Sequence, residues 1–122
     1  MSTTGQLTTH VLDTARGRPA AGVAIELLRH TPGAAAPEAL TRARTNSDGR
    51  TDRPLLAAGE LRVGRYELVF DVGAYFDEQG VVEGDQPFLE LVPVRFGVAD
   101  AGASYHVPLL VSPWAYSTYR GS

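Results

Sequence analysis

Acid–base chemistry near neutral pH is the first possibility this sequence raises, because it carries three histidines: His10, His30 and His106. An imidazole with an ordinary pKa of about 6.5 can take up or release a proton under common working conditions. His10 sits in the middle of Leu7-Thr8-Thr9-His10-Val11-Leu12-Asp13. In an extended strand it shares a face with Thr8 and Leu12. His106 likewise shares a face with Ser104, Pro108 and Leu110. His30 stands at a strand end beside Thr31-Pro32 and reads as structural or solvated. His10 and His106 could meet across a sheet if their strands lie together. No metal is expected there. The spacing is neither H-x-H nor H-x-x-x-H, no cysteine occurs, and neither ring has a carboxylate beside it in sequence. No other cofactor is expected.

Arg50 is the next candidate. It closes the turn Asn46-Ser47-Asp48-Gly49-Arg50, where Asn and Asp side chains bond nearby backbone and glycine tolerates positive φ. A guanidinium held on such a turn presents a planar donor fork suited to carboxylates, imides and other flat anionic groups. A solvated loop arginine is the plain alternative. Other chemistries are excluded by what is missing. Without cysteine there is no thiolate nucleophile, and without lysine no Schiff base or phosphate-loop amine. Despite 13 glycines there is no phosphate-cradling loop, and no G-x-S-x-G elbow occurs. The segment Tyr116-Ser117-Thr118-Tyr119-Arg120-Gly121-Ser122 is aromatic and strand-like where chain ends are usually polar and frayed. Either it is an ordered strand whose Arg-Gly-Ser is held somewhere specific, or it is an edge strand with a loose tail. It is not a Ser-Lys-Leu peroxisomal signal.

These residues must be positioned by strands. Leu7–Asp13, Val23–Leu28, Leu40–Thr45, Arg65–Val72, Phe88–Val98, Ser104–Val111 and Trp114–Tyr119 all read as extended, Arg65–Val72 most clearly. There Tyr66, Leu68, Phe70 and Val72 share one apolar face, opposite Glu67, Val69 and Asp71. Turn signals fall at Arg16-Gly17-Arg18-Pro19 and through Thr31–Pro37, and one short helix fits Ala74–Gln79 before Gly80. The fold class is therefore all-β: an antiparallel β-sandwich of seven or eight strands with one short helix. At 122 residues, with 43% hydrophobic and 20% charged residues, one domain spanning 1–122 with its own core is expected. A net charge of −3 without a basic stripe argues against a nucleic-acid partner. No apolar run approaches the roughly 20 residues of a membrane helix, so no membrane partner is expected. Met1–Thr9 lacks the basic start and apolar stretch of a secretory signal, and the cytoplasm is the expected compartment.

Four segments together resemble the 5-hydroxyisourate hydrolase family: Leu7–Asp13, Asn46–Arg50, Tyr105-His106-Val107-Pro108-Leu109-Leu110, and Tyr116–Ser122. Each is weak alone; their order and spacing, with the terminal Tyr-Arg-Gly-Ser, make the resemblance specific over essentially the whole chain. It implies a transthyretin-like sandwich, a homotetramer built as a dimer of dimers, and active sites in a channel at the dimer–dimer interface. It implies hydrolysis of 5-hydroxyisourate, a small cyclic amide from urate oxidation, to 2-oxo-4-hydroxy-4-carboxy-5-ureidoimidazoline. The family's catalytic residues fall on His10, Arg50, His106 and Ser122, and the matched tail adds Tyr119 and Arg120 to the substrate-binding set. His106 is the expected general base, with His10 positioning water or donating a proton and Arg50 holding the oxyanion. The runner-up is a transthyretin-like binding protein for a small planar ligand, using the same residues as contacts.

Overall fold

The computed structural model describes residues 5–81 and 84–121. Strands β1 (Leu7–Asp13), β2 (Arg18–Pro19), β3 (Ala24–His30), β4 (Glu38–Arg44) and β5 (Gly64–Asp71) lead into helix α1 (Val72–Glu78). Strands β6 (Leu91–Val98), β7 (Tyr105–Val111) and β8 (Tyr116–Thr118) follow. They form two four-stranded sheets, in the orders β2-β1-β7-β8 and β4-β3-β5-β6. The period-2 pattern accounts for the sandwich. Leu7, Val11, Leu109 and Val111 of the first sheet and Ile25, Leu27, Tyr66, Leu68 and Phe70 of the second belong to one buried cluster.

Several local expectations shift. Helix α1 starts two residues early because Asp71 caps it, accepting from the Ala74 N–H. The expected turn at Arg18-Pro19 pairs instead with Leu12 and Asp13 as a two-residue strand. Strand β6 begins at Leu91 rather than Phe88. Pro93 is tolerated within it because β6 is a sheet edge. The antiparallel expectation holds for every strand pair except one: β1 and β7 run parallel in unbroken register from Leu7↔Tyr105 to Asp13↔Val111. The chain between them supplies the whole second sheet, so β7 re-enters the first sheet through a long crossover of the kind parallel strands require.

Two buried carboxylates interrupt the apolar pattern. Glu67, on the outer face of the second sheet, is only 8% exposed. It accepts from His30 Nε2 at 2.6 Å and from Arg95 Nε at 3.2 Å. Asp13, at the end of β1, is fully buried. Its Oδ1 accepts the Ala15 and Arg16 N–H groups at 3.0 and 3.1 Å, and its Oδ2 accepts the Tyr75 hydroxyl at 2.8 Å. Burial and the adjoining carboxylate push the Tyr75 phenol up to about 12. Asp13 thus ties the turn after β1 to the helix. Asp13→Ala, which orphans three donors at once, is expected to lower stability by about 2–4 kcal/mol. Urea denaturation checks this, and a loss below about 0.5 kcal/mol would show that the tie carries no weight.

Candidate active site

The outer face of the first sheet collects the residues singled out in the sequence. Parallel register sets Thr8 beside His106 and His10 beside Pro108. The two imidazoles therefore come from neighbouring strands and lie on the same, solvent-side face. Thr8 Oγ1 lies 2.8 Å from His106 Nδ1. His10 Nε2 lies 2.8 Å from the Asp48 carbonyl oxygen. A carbonyl only accepts, so Nε2 carries the proton and neutral His10 keeps its lone pair on Nδ1.

Arg50 reaches this face through a turn built by Asn46. The Asn46 Oδ1 accepts the Asp48 and Arg50 N–H groups at 2.9 and 3.2 Å, and its Nδ2 donates to Asp52 at 3.0 Å. Gly49 then presses onto β1: its carbonyl accepts from the Val11 N–H at 2.8 Å. Its φ is +76°, and a Cβ there would collide with the Val11 carbonyl oxygen. The result is a bridge pairing Arg50 with His10. On the other side of the histidines, the Gly121 N–H donates to the His106 carbonyl at 2.8 Å. Turn, β1, β7 and tail are thus four adjacent segments.

Electrostatics follow from this crowding. Burial, then the Arg50 cation, then His10 hold His106 below its ordinary 6.5, so its neutral form persists to lower pH. The face therefore offers a neutral imidazole, a second imidazole of fixed tautomer and a guanidinium in one place. Such a set can activate water and stabilise a developing oxyanion. Among the described residues, no three His, Asp or Glu side chains converge as metal ligands.

His30 is on the second sheet, paired with Glu67. Tyr119 is exposed, and Arg120 sits over the ring of Tyr105, which faces the core. Ser122 lies outside the described residues. Sequence reading missed Thr8, Asp48 and the two glycines as partners of the histidines. Thr8 carried one signal, sharing His10's face two residues away; the Asp48 carbonyl, a backbone group, carried none.

Residues 7–121 match the HIUase/Transthyretin family, a span that takes in both histidine strands, the arginine turn and the tail through Gly121. The chain belongs to this family. Among HIUase/Transthyretin relatives, 5-hydroxyisourate hydrolase 2 of Rhizobium meliloti (strain 1021) is 57% identical over 122 residues, covering 100% of both chains. The solved 5-hydroxyisourate hydrolase of Klebsiella pneumoniae superposes with a TM-score of 0.78 at 34% identity, over 97% of this chain and 99% of that one. A crystal structure of (S)-allantoin synthase gives a TM-score of 0.92 at 46% identity; it covers 99% of this chain and 45% of that longer one. The fold is accordingly the transthyretin-like sandwich.

The electrostatic arrangement has a direct test. Arg50→Gln removes a neighbouring positive charge, so the His106 titration midpoint, followed by NMR of its ring protons, should rise toward 6.5. A midpoint that does not move would mean the two side chains do not share a site. Gly49→Ala should push the turn off β1 and shift the His10 ring resonances while the sandwich stays folded. An unperturbed His10 spectrum would contradict the tight approach.

Proposed function

We propose that this chain is a 5-hydroxyisourate hydrolase, acting in urate degradation as one domain. The observation that carries this reading is the convergence of His10, Arg50 and His106 on one face beside Gly121. Full-length identity to relatives named for that activity supports it.

In the proposed reaction, water attacks the ring amide carbonyl of 5-hydroxyisourate. His106 takes the proton from that water through Nε2, with Nδ1 held at Thr8. His10, its Nε2–H committed to Asp48, accepts a hydrogen bond at Nδ1 and orients the water. Arg50 holds the planar substrate and meets the negative charge on the carbonyl oxygen. As the carbon–nitrogen bond breaks, the His106 imidazolium returns its proton to the leaving nitrogen. Ring opening leaves a carboxylate at the attacked carbon and a ureido group at the freed nitrogen of the same molecule, which is 2-oxo-4-hydroxy-4-carboxy-5-ureidoimidazoline. Ser122, next after Gly121, is assigned by family resemblance to orienting the substrate. The low pKa of His106 suits this role, because the base is already neutral at working pH. The face is open in a single chain, and assembly of four copies as a dimer of dimers would close it into a channel. No described helix is long and apolar enough to cross a membrane; the proposed compartment is the cytoplasm.

The assay generates 5-hydroxyisourate from urate with urate oxidase and follows its ultraviolet band. Faster decay on adding the protein is the expected result; unchanged decay with tight binding would mark a carrier instead. Arg50→Lys should lose on the order of 10²–10³ in kcat, since an ammonium cannot reproduce the flat fork. Near-normal turnover would rule out the clamp. Sign of the pH effect follows from the base being active when neutral: kcat should hold as pH falls to 6.5 and drop only below it. A profile still flat at pH 4 would eliminate a histidine base.

A further inference from the structure

Residues 119–121 leave β8 and run beside the start of β7, held by two contacts of different kinds. The Arg120 guanidinium carbon lies 4.0 Å from the centroid of the Tyr105 ring, and its Nη2 donates to the Ser104 carbonyl at 3.3 Å. One residue on, the Gly121 N–H donates to the His106 carbonyl. Successive strand residues face opposite ways. Arg120 therefore grips the core-side neighbour of His106, while Gly121 lies on the histidine's own side. The approach is close: a Cβ at position 121 would stand 2.6 Å from His106 Cδ2 and 3.2 Å from Cγ.

Tyr105 makes a firm seat for that grip. It is buried, and its hydroxyl accepts the Ala99 and Asp100 N–H groups at 3.0 and 3.2 Å. A cation is attracted to the electron-rich face of such a fixed ring. Strand pairing of β8 ends at Thr118. Beyond it, among the described residues, the Arg120 contacts and the single Gly121 hydrogen bond hold the segment in place.

We propose that Arg120 is a positioning residue: by clamping Tyr105 and Ser104 it seats the Gly121 backbone against the edge of the His106 imidazole, without touching substrate itself. Its kinetic consequence rests on the hydrolase reading; its effect on His106 does not. With the clamp released, the tail lifts, water reaches the ring edge, and part of the burial that keeps His106 neutral is lost.

The test compares Arg120→Met, which keeps the apolar stem, with Arg120→Lys, which keeps a cation over the ring. Each full-length protein is measured for His106 titration by NMR, kcat, KM and thermal unfolding. In the Met variant the His106 midpoint should climb toward 6.5, and kcat should fall on the order of tenfold, a size consistent with slight misplacement of catalytic groups. KM should change little, and Lys should restore most of both effects. A Met variant with raised KM, unchanged kcat and unchanged His106 titration would overturn the proposal in favour of direct substrate contact. So would a variant indistinguishable from the parent. If Met fails to fold, Arg120→Gln replaces it with the same expectations. If no variant or parent hydrolyses 5-hydroxyisourate, the activity reading falls, while the titration still decides whether the clamp exists.

Discussion

The parallel pairing of β1 with β7 is the constraint on which the rest of this molecule depends. Its inner residues, Leu7, Val11, Leu109 and Val111, are fully buried, so the register cannot slip by one residue without turning the core face outward. Thr9 reinforces it from within, donating through its buried hydroxyl to the Val107 carbonyl at 2.7 Å. Once that register is set, Thr8 must face His106 and His10 must stand one pleat further along the same side. The site is thus a by-product of core packing: apolar side chains on one surface of the sheet fix polar ones on the other.

The flanking segments add what two strands cannot. The Asn46 turn delivers Arg50 and, through the Asp48 carbonyl, fixes which nitrogen of His10 bears its proton. The tail brings backbone to the opposite margin. Both margins are glycine at the point of contact, Gly49 against β1 and Gly121 against His106, because any side chain would occupy the space the neighbouring strand or imidazole needs. Charge and burial then act together on His106. A partly buried imidazole beside a guanidinium and a second imidazole gives up its proton more readily than one in water.

Much of this was legible in the sequence. Alternation over Tyr66, Leu68, Phe70 and Val72 marked a buried face, and all four are buried. Threonines and branched aliphatics around His10 mark a strand over Leu7–Asp13, and β1 has those limits. That His10 and His106 share a face with defined neighbours also followed from period two. What could not be read was the partner of each strand. Alternation says which side of β1 is apolar but not that β7 lies beside it, nor that the two run the same way. The polar Glu67 defeated the pattern because its burial depends on His30 and Arg95, one from each adjoining strand. The position of Arg120 over Tyr105 depends on how the segment crosses β7, which no local signal encodes.

The same parallel pairing bears on how the chain acquires its shape. Thr8 and His106 are 98 positions apart, whereas β3 and β4 are joined by the short segment 31–37. The entropy of closing a loop grows with the logarithm of its length, so bringing β1 to β7 costs about 2 kcal/mol more chain freedom than closing that hairpin. The second sheet can begin from near neighbours; the first must wait for residues at the far end of the polypeptide. A nascent chain emerging from the ribosome would therefore hold most of its sandwich before it holds any catalytic face, with the edge of β1 left open until β7 arrives.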